Sequence, residues 1–309
     1  MSPVPSRIPN LPQVVCAPLA EWNLRETVGV VTQPAVWEAI GGRLPGAERI
    51  AWRVDAAEAT IAAWDAALAH VPDGATHVLA IGGGLVHDTA KYLGFKLGVP
   101  VIGIPTALTV DAFFTAAAGY RDQGTVRYLD TPPPSTLHVD FDLLARAPAH
   151  LRAAGVTDVL SIATARWDWK RSEELGRTTD SDRFLPWADR LAEGILETCI
   201  ELCPAAGAGD PAELKCLFDC LALEVQLCNQ IGHPRPEEGS EHAFAYLVEN
   251  VVGHGLPHGD LVGPGIVEMA RRQGQDAGRL DRALRAAGVP MDSISPDVVA
   301  DTIRKLPEF

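Results

Sequence analysis

The chain has 309 residues, of which 47% are hydrophobic and 21% charged, and it carries a formal net charge of −14 at pH 7. An acidic surface of this kind repels nucleic-acid backbones and anionic membranes, and no apolar run is long enough to cross a bilayer, so neither is an expected partner. The length favours two domains sharing a cleft over one core.

The first residues, "MSPVPSRIPNLPQVV", lack the basic segment and apolar core of a signal peptide, and the expected location is cytoplasmic. From Thr27 onward, short β-rich runs alternate with helical patterns. "TVGVVTQ" precedes "PAVWEAIGG", "RIAWRVD" precedes "AAEATIAAWDAALAHV", and "THVLAIGGG" precedes "LVHDTAKYLGFKLG" and then "VPVIGIPT". Continuous apolar strands alternating with helices predict a parallel sheet covered on both faces.

Asp55 ends one of these strands. Its carboxylate could accept hydrogen bonds from the ribose of NAD and repel the extra phosphate of NADP, or it could cap the helix that follows; both readings stand. Gly82, Gly83 and Gly84 lie where a strand gives way to a helix. That arrangement turns backbone N–H groups and the positive end of a helix dipole toward an anion, and it lets a ligand sit against the backbone. The spacing is not G-x-G-x-x-G, so a tight turn without a ligand is the competing reading.

After Thr106 the pattern loosens. The "YRDQG" turn and Pro132 to Pro134 predict a hairpin-like excursion that returns to the sheet. Beyond residue 149 the pattern is helical, with residues 184–203 and 212–231 carrying apolar side chains at three- and four-residue spacing. The predicted division is therefore an α/β half, residues 1–149, and a helical half, residues 150–309.

Five of the six cysteines, Cys199, Cys203, Cys216, Cys220 and Cys228, fall in these helices. None has C-x-x-C spacing, so they are expected to be buried reduced thiols. Asp158 follows "AAGVT" at a predicted helix start, His242 lies two residues after Ser240 at another, and His258 lies in "VVGHGLPHGDLVGPG". Two imidazoles and a carboxylate hold a divalent metal with a position open to substrate; the chain has nine histidines, and spacing alone also allows coincidence.

Taken together, "GGGLVHDTAKYLGFKLGVPVIGIPTALTVDAFFT", "AAGVTDVLSIATARWDWK", "GSEHAFAY" and "LPHGDLVGPGIV" resemble the sn-glycerol-1-phosphate dehydrogenase family. That family sits in the superfamily of dehydroquinate synthases, glycerol dehydrogenases and iron-type alcohol dehydrogenases. The resemblance runs over residues 27 to 272 in order. It implies that residues 1–149 bind a dinucleotide and residues 150–309 bind metal and substrate. Gly82, Gly83, Gly84 and Asp88 would cup the pyrophosphate of NAD or NADP, bordered by Pro105 and Thr106. Asp111 would face the substrate beside the nicotinamide, with Thr115 where a serine is more usual. Asp158, His242 and His258 would hold zinc or another divalent metal, and His254 would stand near the substrate.

The expected reaction is interconversion of a small ketone and a polyol, with a phosphate on the substrate left open. Arg127, Arg166 and Lys170 are the candidate phosphate ligands, against a reading as surface ion pairs such as Lys170 with Glu174. Val110 replaces a residue that is commonly polar in relatives, and Phe113 and Phe114 are expected to wall the substrate site. The chain ends earlier than is usual for the family, so its last helices are expected to be abbreviated. A cyclase of the dehydroquinate synthase kind and a non-catalytic cofactor binder are the alternatives, and a homo-oligomer is left open.

Overall fold

The computed structural model describes residues 10–123, 125–253 and 255–306. In the first half, β1 (Gln13–Cys16), β2 (Val28–Thr32), α1 (Pro34–Ile40), β3 (Ile50–Asp55), α2 (Ile61–Leu68), β4 (His77–Gly82), α3 (Gly84–Leu97) and β5 (Val101–Pro105) follow in order. A hairpin, β6 (Ala117–Asp122) and β7 (Thr125–Asp130), leads to β8 (Thr136–Val139), α4 (Phe141–Ala145) and α5 (Ala149–Arg152). The rest is helical: α6 (Val156–Glu174), α7 (Pro186–Ala208), α8 (Pro211–Ile231), α9 (Ser240–Val252), α10 (His258–Arg272), α11 (Ala277–Ala286) and α12 (Pro296–Lys305).

The six main strands are parallel in the order β1-β8-β5-β4-β2-β3. Strands β2 and β5 are buried at every residue, as their unbroken Val/Ile/Gly runs require of a sheet covered on both sides. One face packs on α2 and α3 through Val31, Trp64, Val86 and Leu93, the other on α1 through Val30, Ile40, Leu79 and Ile104. The hairpin forms a separate antiparallel pair, and β8 returns to the sheet. Gly124 of the predicted turn lies outside the described residues.

Local sequence sets the helix boundaries. Pro34, Pro186, Pro211 and Pro296 occupy first helical turns, where a missing N–H costs nothing. Gly98, Gly209 and Gly232 end helices with left-handed φ of 69°, 89° and 84°. The helices share one large core that also takes in Leu108, Phe113, Phe114, Leu137 and Val139. Cys199, Cys203 and Cys220 are buried and Cys216 and Cys228 half-buried, all as free thiols.

Two expectations are corrected here. Phe113 and Phe114 are 0% and 1% exposed and stack with Phe218 of α8, so they bind the sheet to the helices and do not wall a substrate site. Asp55 caps no helix: the N-cap of α2 is Thr60, whose side chain accepts the Ala63 N–H.

Candidate metal and nucleotide cleft

The ends of β4 and β5, the start of α3, the hairpin, and the N-terminal ends of α6 and α10 border one cleft of about 1350 Å³. This exceeds the roughly 300–1,000 Å³ of an ordinary small-ligand pocket. It opens at the carboxyl ends of parallel strands, where ligands of open α/β sheets bind.

Gly83 and Gly84 line the cleft with Asp88, Thr106, Val110, Asp111 and Thr115. Gly82 and Pro105 stand one step behind it, paired across β4 and β5. Left-handed backbone is not the reason for these glycines, since none of the three has a positive φ. Close approach is. A Cβ would lie 2.5 Å from Val86 Cγ2 at Gly82, 2.9 Å from Thr109 Oγ1 at Gly83 and 2.4 Å from Val110 Cγ2 at Gly84. The Gly84 N–H donates to Thr109 Oγ1 at 3.2 Å.

Asp158, His242 and His258 come from α6, α9 and α10, and one ligand atom from each lies within 4.8 Å of the others. Asp158 is on the first turn of α6, where the dipole favours a carboxylate. Its Oδ2 accepts the Asp111 N–H at 3.0 Å, while Oδ1 is buried without a hydrogen-bond partner among the described residues and lies 3.4 Å from His258 Nε2. An orphaned carboxylate oxygen facing two imidazoles is a donor set suited to a zinc- or iron-like cation.

Glu241 is a site residue that spacing did not reveal. It is fully buried and accepts from His242 Nδ1 at 2.8 Å, from the Gly239 N–H at 2.6 Å and from Thr164 Oγ1 at 2.5 Å. This bond leaves His242 Nε2 for the cleft, as when a carboxylate on one ring nitrogen orients a histidine whose other nitrogen binds metal. Burial alone would lower the His242 imidazole, but the Glu241 bond and the charges of Glu238, Glu241 and Asp158 raise it to about 9. The start of α9 is itself held by Asp168, which accepts from the Ser240 N–H and hydroxyl at 2.8 and 2.6 Å.

Lys91 is the second residue found only in the structure. Its ammonium is 1% exposed, pairs with Asp88 Oδ1 at 3.0 Å and donates to Ala112 O at 2.7 Å, Thr115 Oγ1 at 2.9 Å and Ala117 O. It ties α3 to the loop that carries Asp111. Burial, and then the Asp158 charge, push the Asp111 carboxyl up to about 8.

The remaining predicted residues lie elsewhere. Asp55 pairs with Arg53 at 3.2 Å and does not line the cleft. Of the phosphate candidates, Arg127 pairs with Asp122 at 2.9 Å on the exposed hairpin, and Arg166 pairs with Asp189 and Glu193 at 2.6 and 3.2 Å. Lys170 is exposed, and the Glu174 carboxylate is taken by Arg171 at 3.0 Å. None of the three borders the cleft. His254 lies outside the described residues.

The sheet order, the helical second half and the shared cleft define a dehydroquinate synthase-like fold, and the chain is similar in sequence to the iron-type alcohol dehydrogenases. Residues 9–148 match the family described as iron-containing alcohol dehydrogenase. Its sequence relatives include the glycerol-1-phosphate dehydrogenase [NAD(P)+] of Methanothrix thermoacetophila, 28% identical over 74% of this chain and 65% of the relative. The enzyme of that name from Hyperthermus butylicus is 31% identical over 69% of this chain and 60% of its own length. The chain spans 45–65% of the length of the first three curated relatives it matches.

Solved structures of the same fold include a probable glycerol dehydrogenase from Sinorhizobium meliloti, with TM-score 0.70, 18% identity and coverage of 97% and 98% of the two chains. An iron-containing alcohol dehydrogenase from Thermotoga maritima has TM-score 0.68 and 18% identity, covering 97% of this chain and 92% of its own.

Proposed function

We propose that the chain is a metal-dependent, NAD(P)-linked oxidoreductase that interconverts a small ketone and the corresponding alcohol of a polyol. The observation that carries this reading is the meeting of Asp158, His242 and His258 in the cleft that the glycine turn borders. The names of the sequence relatives support it.

Asp158, His242 and His258 would hold the metal. The start of α3, with Gly83, Gly84 and Asp88, would receive the pyrophosphate, with Thr106 and Thr115 beside it. A bound metal supplies polarisation of the carbonyl and a nicotinamide supplies the hydride. The chain supplies geometry: Glu241 fixes the His242 ring, Lys91 fixes the loop of Asp111, and Asp111 stands in the cleft as the acid to exchange a proton with the substrate oxygen. The division of labour at residue 149 and a cytoplasmic location belong to the same reading. No helix among the described residues is long and apolar enough to cross a membrane.

Arg127, Arg166 and Lys170 do not line the cleft, whereas Arg43, Arg121 and Arg146 do, alongside the acidic Asp111, Glu237 and Glu238. The test is consumption of NADH or NADPH with a panel of phosphorylated and unphosphorylated hydroxyketones, alongside His258→Ala. Turnover that needs metal and is lost in His258→Ala, with nucleotide affinity kept, is expected. Release of inorganic phosphate with no net change in cofactor would assign a cyclase, and nucleotide binding without turnover of any ketone would overturn the reading.

A further inference from the structure

Beside the Asp158 site lies a second group of carboxylates, of which the reaction above, on which this inference rests, uses only Asp111. Asp111 from the loop after β5, Glu224 from α8 and Glu237 from the turn before α9 each bring one oxygen within 4.8 Å of the others. Glu224 is 1% exposed, and neither of its oxygens has a hydrogen-bond partner among the described residues. Glu237 Oε2 is likewise buried and unpartnered, and the Cys228 thiol bonds to the same carboxyl group.

A buried anion with both oxygens unsatisfied carries a desolvation cost that no neighbour here offsets, and two more carboxylates beside it add repulsion. The ammonium of Lys91, which acts on Asp111, is held by Asp88, Thr115 and two carbonyls. The two groups together contain four carboxyl groups, whose charge when ionised two divalent ions would match.

We propose that Asp111, Glu224 and Glu237 form a second cation site, selective for a hard divalent ion of the Mg²⁺ or Mn²⁺ kind. The donors are the argument for the ion class. The first set combines two imidazoles with a carboxylate, which suits zinc or iron; the second offers three carboxylates, which suit oxygen-seeking cations. Asp111 and Glu237 line the cleft and Glu224 stands behind them, so an ion there would keep a face open to hydroxyl groups of a ligand in the cleft. The ion would also hold Asp111 in place through its carboxylate, as Asp158 does through its amide.

The experiment uses the full chain, stripped with a chelator, reloaded with one equivalent of zinc and titrated with Mn²⁺ alone while bound manganese is followed by electron paramagnetic resonance. Expected are one tightly held Mn²⁺ beside the zinc, a rise in Tm on adding Mn²⁺, and loss of both in Glu224→Gln, with Mn²⁺ affinity lowered about tenfold or more as a charged ligand is removed. Glu237→Gln is the second variant and should behave alike. Without metal, Glu224→Gln should melt no lower than the parent, because it replaces a buried carboxyl group whose oxygens have no partner among the described residues, so misfolding is separable from loss of the site. His258→Ala should lose zinc and keep Mn²⁺. Failure of zinc uptake sinks the first site only. A parent chain that takes up no Mn²⁺ beside its zinc, or variants that bind it as well as the parent, would overturn the second.

Discussion

The Nδ1 of His242 meets Oε1 of its chain neighbour Glu241 at 2.8 Å, within a carboxylate that also receives the Gly239 N–H and the Thr164 hydroxyl. A glutamine at 241 has one acceptor where the native carboxylate has two, so it cannot satisfy all three donors. Glu241→Gln is expected to weaken metal binding by about 10- to 100-fold while the fold persists. Competition against a chelator of known affinity measures this, and an unchanged constant would remove Glu241 from the site.

Gly84 tests the packing account of the glycine turn. A methyl group there would stand 2.4 Å from Val110 Cγ2. Gly84→Ala should destabilise by about 1–3 kcal/mol and weaken nucleotide binding. Adding Val110→Ala removes the obstructing methyls, so the double variant should be more stable than the two single effects summed. Denaturant titrations of the four proteins give the coupling; strict additivity would mean that Val110 is not the obstacle.

Lys91 is expected to be intolerant of an apolar replacement. Lys91→Met leaves Asp88, Thr115 and the Ala112 and Ala117 carbonyls without their shared donor. A loss of about 3–5 kcal/mol is expected from breaking a buried pair. Calorimetry of the metal-free protein reads it, and a loss below about 1 kcal/mol, as for an exposed pair, would contradict the burial described.

His87 gives the molecule a pH dependence separate from the metal site. Its ring is 0% exposed, with Nδ1 bonded to Gly83 O at 2.9 Å and Nε2 unpartnered among the described residues. Burial, reinforced by the Lys91 charge and opposed by the Gly83 bond, lowers its imidazole from 6.5 to about 4. The folded state therefore holds His87 neutral where the unfolded chain takes up a proton. The stability this contributes is complete above pH 6.5 and is lost as pH falls from 6.5 to about 4, a change on the order of 3 kcal/mol. Urea midpoints across that range should fall less steeply in His87→Leu; equal slopes would assign the loss to other groups.

The strands from β2 to β5 and the long helices were legible because each is a continuous apolar or 3.6-periodic run. Strand β1 was not. It has four residues, is mostly exposed and pairs with β8 at the edge of the sheet, so no periodicity marks it. The side of the chain on which Phe113 and Phe114 lie depends on Phe218, more than a hundred residues away, and a local reading sends them to the wrong surface. Asp158, His242 and His258 could be named from the motifs that carry the resemblance. Glu224 and Lys91 belong to helices whose pattern looks ordinary, and only the fold brings them to charged partners.

The peptide N–H of Asp111 ends on the carboxylate of Asp158, and this one bond spans the seam between the glycine-turn end of the cleft and the Asp158 end. A loop pinned at both ends behaves as a lever: what tightens it at one end settles the other. Occupancy of the two ends is then thermodynamically linked, and whatever factor the first guest lends to the second is returned in equal measure.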